Sequence, residues 1–275
     1  MVLDSAFLSR DVPLRRGITL RCHERAGAGG PTVLLLHGYG DSGRAFAPIL
    51  PWLPRSWRVI APDQRGHGDS DRPAEGYGVP QLASDAAALL DALAVREAVV
   101  VGHSMGSFVA QQLALDHPAR VERLALVGAA ACASTAAVDA MAAELRSLDD
   151  PVPDAFVREF QKGCLARPVP EAFFEDCVAQ GRRLPAWIWR AVYEGFARFD
   201  ARDRLGAVGC PALVVWGDRD AIFERADQDA LLAALPRASL LVYEGTGHCP
   251  NWEEPERFAR DLAAFVEAAA GTQAA

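Results

Sequence analysis

The sequence lacks the features that mark membrane-spanning, metal-binding and nucleic-acid-binding proteins. No apolar run in its 275 residues approaches the length that a transmembrane helix needs. The six cysteines lie far apart without a CxxC spacing, which excludes the usual zinc-ligand and thioredoxin-like patterns. Basic residues are scattered and the formal net charge is −8, which argues against a nucleic-acid partner and against a membrane partner. We therefore expect no metal site, no cofactor and neither of those two kinds of partner.

The cellular compartment is also predicted from what is missing. Residues 1–20 carry charged side chains and no apolar core segment, so no secretory signal peptide is expected. The cysteines are expected to be free thiols in a reducing compartment. Cys249 follows a histidine, but a cysteine nucleophile needs a base directed at it, so we interpret Cys249 as structural. These observations favour a cytoplasmic protein, and they leave open whether it is a monomer or a homodimer.

What is present is an alternation of short apolar runs and longer helix-forming runs. Strands are predicted at residues 18–25, 32–36, 57–61, 99–101, 123–127, 211–216 and 239–243. Helices are predicted at residues 45–53, 79–93, 108–116, 225–235 and 254–269. Because this alternation favours parallel strands, we predict an α/β fold with a mostly parallel central sheet and helices on both faces. Functional groups should then gather beyond the carboxyl ends of the strands.

The alternation stops between residues 133 and 205. This stretch is predicted to form several helices separated by prolines, and it is rich in aromatic residues. An all-helical insert between two strands is expected to form a cap above the strand ends. We therefore predict three parts: residues 1–130 as the first part of the α/β core, 131–205 as the helical cap, and 206–275 as the second part of the core. Candidate substrate-binding residues in the cap are Phe160, Trp187 and Trp189.

Ser104 lies in a turn between a predicted strand and a predicted helix. Three valines at residues 99–101 are followed by Gly102-His103-Ser104-Met105-Gly106 and then by a helix-forming run. The two glycines leave room for a strained backbone that raises the serine hydroxyl above the edge of the sheet. The amide of Met105 would lie at the start of the helix, directed at negative charge that develops beside Ser104. The pattern indicates a nucleophilic serine.

Two acids and a histidine follow later strands. Asp218 and Asp220 come after the sixth predicted strand, and His248 comes after the seventh. Since the carboxyl ends of parallel strands meet at one edge, these side chains should lie near Ser104. A serine hydroxyl is a weak nucleophile at neutral pH and needs a base that accepts its proton. His248 is placed for that role, and a carboxylate would hold its ring in the required tautomer.

These residues resemble the α/β-hydrolase superfamily over almost the whole chain. The resemblance rests on the serine turn, the His37-Gly38 turn, the polar loop at residues 63–70, Gly217-Asp218-Arg219-Asp220 and Gly247-His248. The order serine, acid, histidine along the chain is the order that this family uses. The sequence is similar to the serine-nucleophile, carboxylesterase-like branch with a helical cap.

The resemblance implies a catalytic triad made of Ser104, Asp220 and His248. In that family the acid usually stands three residues after the glycine that ends the strand, which favours Asp220 over Asp218. The resemblance also implies an oxyanion hole formed by the backbone amides of Tyr39 and Met105.

The implied reaction is acyl transfer to water. Haloalkane dehalogenases and epoxide hydrolases of that superfamily carry an aspartate where this chain has Ser104, so both activities are disfavoured. We expect a serine hydrolase that cleaves a carboxylic ester, thioester or lactone of a small to medium, largely apolar small-molecule substrate through an acyl-enzyme. Two alternatives share the triad: a carbon–carbon bond hydrolase of aromatic breakdown and a cofactor-free perhydrolase. A third is a catalytically idle scaffold that binds a ligand or a partner protein.

Overall fold

A central sheet forms where the sequence concentrates β-branched and leucine residues. The structure, a computed structural model, describes residues 7–15 and 17–268. Its strands in these residues are β1 Leu8–Pro13, β2 Thr19–Arg25, β3 Thr32–Leu36, β4 Arg58–Pro62, β5 Ala98–His103, β6 Val121–Val127, β7 Ala212–Gly217 and β8 Ala238–Tyr243. They pair in the order β1-β2-β4-β3-β5-β6-β7-β8, and every pair from β4 to β8 is parallel. The predicted fold class is therefore confirmed.

One strand, β1, is missing from the sequence-based prediction. It pairs antiparallel with β2, with Leu8 opposite Glu24 and Pro13 opposite Thr19. All but one of its six residues are exposed, so it has no apolar run that would identify it. Its place at the edge of the sheet explains this, because an edge strand is stabilised by the backbone of its neighbour and needs little burial.

Helices cover both faces of the sheet. In the described residues they are α1 Val79–Ala92, α2 Met105–Asp116, α3 Ala136–Arg146, α4 Asp154–Gly163, α5 Glu171–Arg182, α6 Ala186–Phe196, α7 Arg225–Ala234, α8 Pro250–Glu253 and α9 Pro255–Glu267. None of them is long and apolar enough to cross a membrane. The final helix was predicted to reach residue 269, which lies outside the described residues.

The helix predicted at residues 45–53 is wrong. The chain forms two short 3₁₀ helices there, Gly43–Phe46 and Leu50–Trp52. Pro48 and Pro51 explain the difference, because each removes an amide donor and its ring obstructs the preceding turn of an α-helix.

Strand β5 is central and buried on both faces. Val99, Val100 and Val101 have no exposed surface. Val100 packs in the apolar cluster on one face of the sheet, while Val99 and Val101 pack in the cluster on the other face. A strand covered on both sides reads as a continuous apolar run, and this is why it could be located from the sequence. The packing of these valines on both faces therefore holds the carboxyl end of β5 in place within the sheet.

The segment between β6 and β7 contains α3, α4, α5 and α6, within the predicted cap at residues 131–205. Its two ends lie side by side. The amide of Ala133 donates to the carbonyl of Phe199 at 2.9 Å, and the amide of Ala201 donates to the carbonyl of Ala131 at 2.9 Å. The segment thus leaves the sheet and returns to it at one place. The division of the chain into three parts stays a prediction.

Replacing Gly102 by alanine should destabilise the protein. A Cβ atom on Gly102 would lie 2.3 Å from the backbone oxygen of Gly106, so the β5–α2 turn would have to shift. We expect a loss of about 3 kcal/mol in the free energy of unfolding, measured by urea denaturation. Gly206→Ala is the matched control, because an added Cβ there meets no atom within 4 Å. The control should stay within about 0.5 kcal/mol of the unsubstituted protein. Equal unfolding midpoints for the two variants would contradict the close contact between Gly102 and the backbone of Gly106.

Candidate active site

Ser104 occupies a strained turn between β5 and α2. Its backbone angles are φ 52° and ψ −121°, a region that non-glycine residues rarely adopt. The amide of Ser104 donates to the carbonyl of Val127 at 2.9 Å, and the carbonyl of Ser104 accepts from the amide of Ser107 at 2.8 Å. A Cβ on Gly106 would lie 2.1 Å from the carbonyl oxygen of Leu36, so the turn packs directly on β3. The strain is thus held by hydrogen bonds and by close backbone contact.

His248 and Asp220 form a buried pair in the loops after β8 and β7. His248 Nδ1 lies 2.9 Å from Asp220 Oδ2, and both side chains are almost fully buried. Asp220 Oδ1 also accepts hydrogen bonds from the amides of Ile222 at 2.8 Å and Phe223 at 3.1 Å. An ionised carboxylate only accepts, so the proton of the neutral imidazole lies on Nδ1 and leaves Nε2 as a lone-pair acceptor.

The pair shifts the pKa values of both of its members. Burial by itself would raise the pKa of Asp220, but the charge of His248 and the hydrogen bonds that Asp220 accepts lower it below its ordinary value. Burial would lower the pKa of His248, but the neighbouring Asp220 carboxylate outweighs burial and raises it to about 9. The imidazole is therefore made a stronger base by the carboxylate behind it.

Ser104 and His248 line the same cavity. Nε2 of His248 is buried and has no hydrogen-bond partner among the residues that the structure describes. The hydrogen bond from the Ser104 hydroxyl to Nε2 is thus not formed in this structure, although both groups belong to one cavity. Such bonds are often long or unformed before a substrate is bound.

Of the two candidate acids, only Asp220 contacts His248. Asp218 is exposed, and its Oδ1 accepts a hydrogen bond from the amide of Gly245 at 2.6 Å. That contact stabilises the turn after β8 and leaves Asp218 outside the cavity.

The two residues predicted to supply the oxyanion donors both lie next to Ser104. Met105 is the first residue of α2, and the first amides of a helix have no partner within the helix. Tyr39 follows Gly38, and a Cβ built on Gly38 would lie 3.4 Å from Cβ of Ser104. Both Tyr39 and Met105 line the cavity. The oxyanion hole formed by their backbone amides stays a prediction.

Of the three aromatic residues proposed for the cap, only Phe160 lines the cavity. Trp189 is fully buried one layer behind it, with its ring centroid 4.8 Å from that of Tyr39, whose hydroxyl donates to the carbonyl of Trp189. Trp187 lies at the surface, 37% exposed and against Tyr77. Residues two positions apart on a helix point in different directions, so Trp187 and Trp189 could not share one face.

The sequence reasoning missed other residues that line the cavity. They include Asp41, Phe108, Val138, Met141, Phe196 and Phe223. Helical spacing offered one signal, since Phe196 follows Trp189 by seven residues and lies on the same face of α6. Asp41 offered another, because it follows β3 at the same sheet edge as Ser104.

Asn in place of Asp220 should lower the pKa of His248. Without the carboxylate, burial is left as the main influence on the ring, and burial disfavours the imidazolium. An NMR titration that follows the His248 Cε1–H signal should show a midpoint above 6.5 in the unsubstituted protein and below 6.5 in Asp220→Asn. Asp218→Asn is the matched control and should titrate like the unsubstituted protein. A midpoint that is the same in all three proteins would show that Asp220 does not set the charge of His248.

Known proteins are similar to this chain. The 2-hydroxymuconate semialdehyde hydrolase of Pseudomonas sp. strain CF600 is 34% identical over 287 aligned positions, which cover 97% of this chain and 98% of that protein. An esterase from Rhodococcus sp. ECU1013 superimposes with a TM-score of 0.84 at 25% identity, covering 94% and 98% of the two chains. An esterase from Exiguobacterium antarcticum has a TM-score of 0.86 at 23% identity, covering 95% and 100%, and shows the same fold.

The chain also matches the alpha/beta hydrolase family over residues 33–261. The match starts within β3 and ends within α9, so it includes Ser104, Asp220 and His248. It confirms the superfamily that the sequence motifs indicated. The protein belongs to the alpha/beta hydrolase family.

Proposed function

We propose that the protein is a serine hydrolase that cleaves a carboxylic ester, thioester or lactone through an acyl-enzyme. One observation carries the proposal: His248, whose Nδ1 is bound to the buried Asp220 carboxylate, lines the same cavity as the strained Ser104 turn. A base that is oriented by a carboxylate, beside a raised serine hydroxyl, is the arrangement that nucleophilic acyl transfer requires. The bond from Ser104 to Nε2 forms when a substrate orders the site.

In the first half of the reaction, Oγ of Ser104 attacks the carbonyl carbon and His248 Nε2 accepts the hydroxyl proton. The carbonyl π electrons move to oxygen, which becomes the oxyanion. When the carbonyl re-forms, the bond to the leaving oxygen or sulfur breaks, and the imidazolium returns its proton to that leaving group. In the second half, water replaces Ser104 as nucleophile, His248 accepts its proton, and the carboxylic acid leaves as the serine hydroxyl is restored.

The backbone amides of Tyr39 and Met105 stabilise the oxyanion in this proposal. Each donor of an oxyanion hole contributes on the order of 3 kcal/mol to lowering the barrier. The donors are in place before the reaction, because Met105 is fixed by the start of α2 and Tyr39 by the packing of Gly38 against Ser104. While the oxyanion is present, His248 carries the serine proton as an imidazolium, and the Asp220 carboxylate stabilises that positive charge.

The walls of the cavity favour an uncharged, largely apolar substrate. Aromatic and aliphatic side chains from α2, the cap helices and the loop after β7 dominate its lining. Such apolar walls with a few polar groups are typical of pockets that bind small organic molecules. None of the described residues that line the cavity is a lysine or an arginine, and the charge of a protonated His248 is balanced by the Asp220 carboxylate bound to it.

Hydrolysis of a carbon–carbon bond is the second candidate. The similarity to the Pseudomonas 2-hydroxymuconate semialdehyde hydrolase favours it. The substrate named for that protein is a carboxylic acid, and a carboxylate in a dry cavity needs a cationic partner. The cavity instead contains an acid, Asp41, and this observation places ester hydrolysis first.

A fluorophosphonate probe should label Ser104. The probe reacts with a serine whose hydroxyl is activated, so intact-mass spectrometry should show one phosphonate added to the protein and none added to Ser104→Ala. Ser107→Ala is the control, because Ser107 is fully buried in α2 and should leave the labelling unchanged. No labelling of the unsubstituted protein would support the catalytically idle scaffold instead.

Hydrolysis of p-nitrophenyl esters of increasing chain length should exceed turnover of a ring-cleavage dienoate and peracid formation from hydrogen peroxide. With the preferred ester, Asp220→Asn should reduce kcat by about 10⁴-fold, because the imidazole loses its orientation and its counter-charge. Asp218→Asn should keep the rate of the unsubstituted enzyme. Turnover of the dienoate alone would replace the ester hydrolase by the carbon–carbon bond hydrolase.

A further inference from the structure

A buried carboxyl group that the proposed reaction does not use lies in the wall of the cavity. Asp41 follows β3 in the same turn as Tyr39, and it is only 4% exposed. Its Oδ1 accepts a hydrogen bond from Nε2 of Gln161 at 2.9 Å. Gln161 belongs to the cap helix α4, so this bond joins the cap to the core inside the protein.

The second oxygen of Asp41 lies close to the reacting group. A Cβ built on Gly38 would stand 2.9 Å from Oδ2 of Asp41 and 3.4 Å from Cβ of Ser104. Oδ2 of Asp41 and Cβ of Ser104 therefore border the same unoccupied position beside Gly38. Both residues line the cavity, so a substrate bound at Ser104 has this carboxyl group among its surroundings.

The surroundings of Asp41 make its charge strong when it is present. Burial raises the pKa of Asp41 to about 7, against the lowering effects of Gln161, His248 and the Gly38 amide. The other titratable groups near this part of the cavity include His103 and the thiols of Cys164, Cys177 and Cys249. Burial lowers the pKa of His103 to about 3, so its ring is neutral over the pH range considered. Above neutral pH the cavity therefore contains a carboxylate in apolar surroundings, where charges interact over several ångströms with little screening.

We propose that Asp41 is a specificity-determining residue which disfavours esters whose acyl chain carries a carboxylate a few bonds from the scissile carbonyl and admits their uncharged counterparts. The proposal rests on the ester hydrolase function above and narrows its substrate class. Two carboxylates in one apolar cavity repel each other. A protonated His248 does not cancel this repulsion, because its charge is already balanced by Asp220. When Asp41 is protonated, the repulsion disappears and the carboxyl can donate a hydrogen bond.

The test compares two esters that differ only in charge: 1-naphthyl glutarate, whose acyl chain ends in a carboxylate, and 1-naphthyl methyl glutarate, in which that carboxylate is methylated. The ratio of kcat/KM for the neutral ester to kcat/KM for the anionic ester is measured from pH 5.5 to pH 9, after subtraction of spontaneous hydrolysis. Effects of His248 on proton transfer act on both esters and cancel in this ratio.

The unsubstituted enzyme should favour the neutral ester by about ten-fold or more at pH 8, and the ratio should fall as the pH decreases through about 7. In Asp41→Asn, which keeps an oxygen acceptor for Gln161, the ratio at pH 8 should fall by about three-fold or more, and the preference that remains is the cost of desolvating the anionic ester. Any remaining pH dependence in this variant reports the charge of His248. A ratio near one in the unsubstituted enzyme, or a ratio that Asp41→Asn leaves unchanged, would overturn the role of Asp41.

Gln161→Met provides a second measurement if Asp41→Asn fails to fold. This variant removes the hydrogen bond that lowers the pKa of Asp41, so the pH at which the ratio changes should move upward. An unmoved transition would count against Asp41. The experiment distinguishes failure of the ester hydrolase function from failure of the role of Asp41. If the unsubstituted enzyme cleaves neither ester, the ester hydrolase function is wrong and the role of Asp41 is wrong with it. If it cleaves both equally well, only the role of Asp41 is lost.

Discussion

The backbone of Ser104 is the constraint on which the rest of the site depends. Holding a serine at φ 52° costs about 1–3 kcal/mol, and the surrounding fold must supply this free energy. It comes from the burial of Val99, Val100 and Val101 on both faces of the sheet, where each valine contributes about 1.5–3 kcal/mol. Gly106 packs directly against the backbone of Leu36, and this close contact determines where α2 begins relative to β3. The hydroxyl and the Met105 amide are thereby set together.

The buried His248–Asp220 pair is the second element, and it is built from loops that follow different strands. A single buried charge would strongly destabilise the protein. The pair is tolerated because His248 and Asp220 hydrogen-bond each other and two backbone amides donate to the other oxygen of the carboxylate. The amide of His248 donates to the carbonyl of Cys164 at 2.9 Å, next to the carboxyl end of α4. The histidine is therefore held by the cap segment as well as by the sheet, which links the position of the cap to the orientation of the base.

The helices between β6 and β7, which are the predicted cap, contact the core near Ser104 mainly by aromatic packing. The rings of Tyr39, Phe160 and Trp189 meet edge to face with centroids 4.8–5.6 Å apart, so a residue of the core lies between two residues of the cap. Within this apolar contact the Asp41–Gln161 bond is a polar connection. Arg44 and Asp176 form another at the rim, with nitrogen–oxygen distances of 2.9 Å. The same contacts that close the cavity thus determine its polarity next to Ser104.

The sequence by itself determined the α/β alternation, the valine strand that precedes the serine turn, and the placement of Ser104, Asp220 and His248 after three different strands. These features are local or periodic: a run of valines is buried wherever it folds, and the ends of parallel strands share one edge. The tertiary structure decided that Asp220 contacts His248 while Asp218 faces solvent, that Phe160 lines the cavity while Trp187 does not, and that Asp41 meets Gln161. Such outcomes depend on which face of a helix or loop turns inward, and that is fixed by contacts between residues distant in the chain. Sequence spacing contains no record of those contacts.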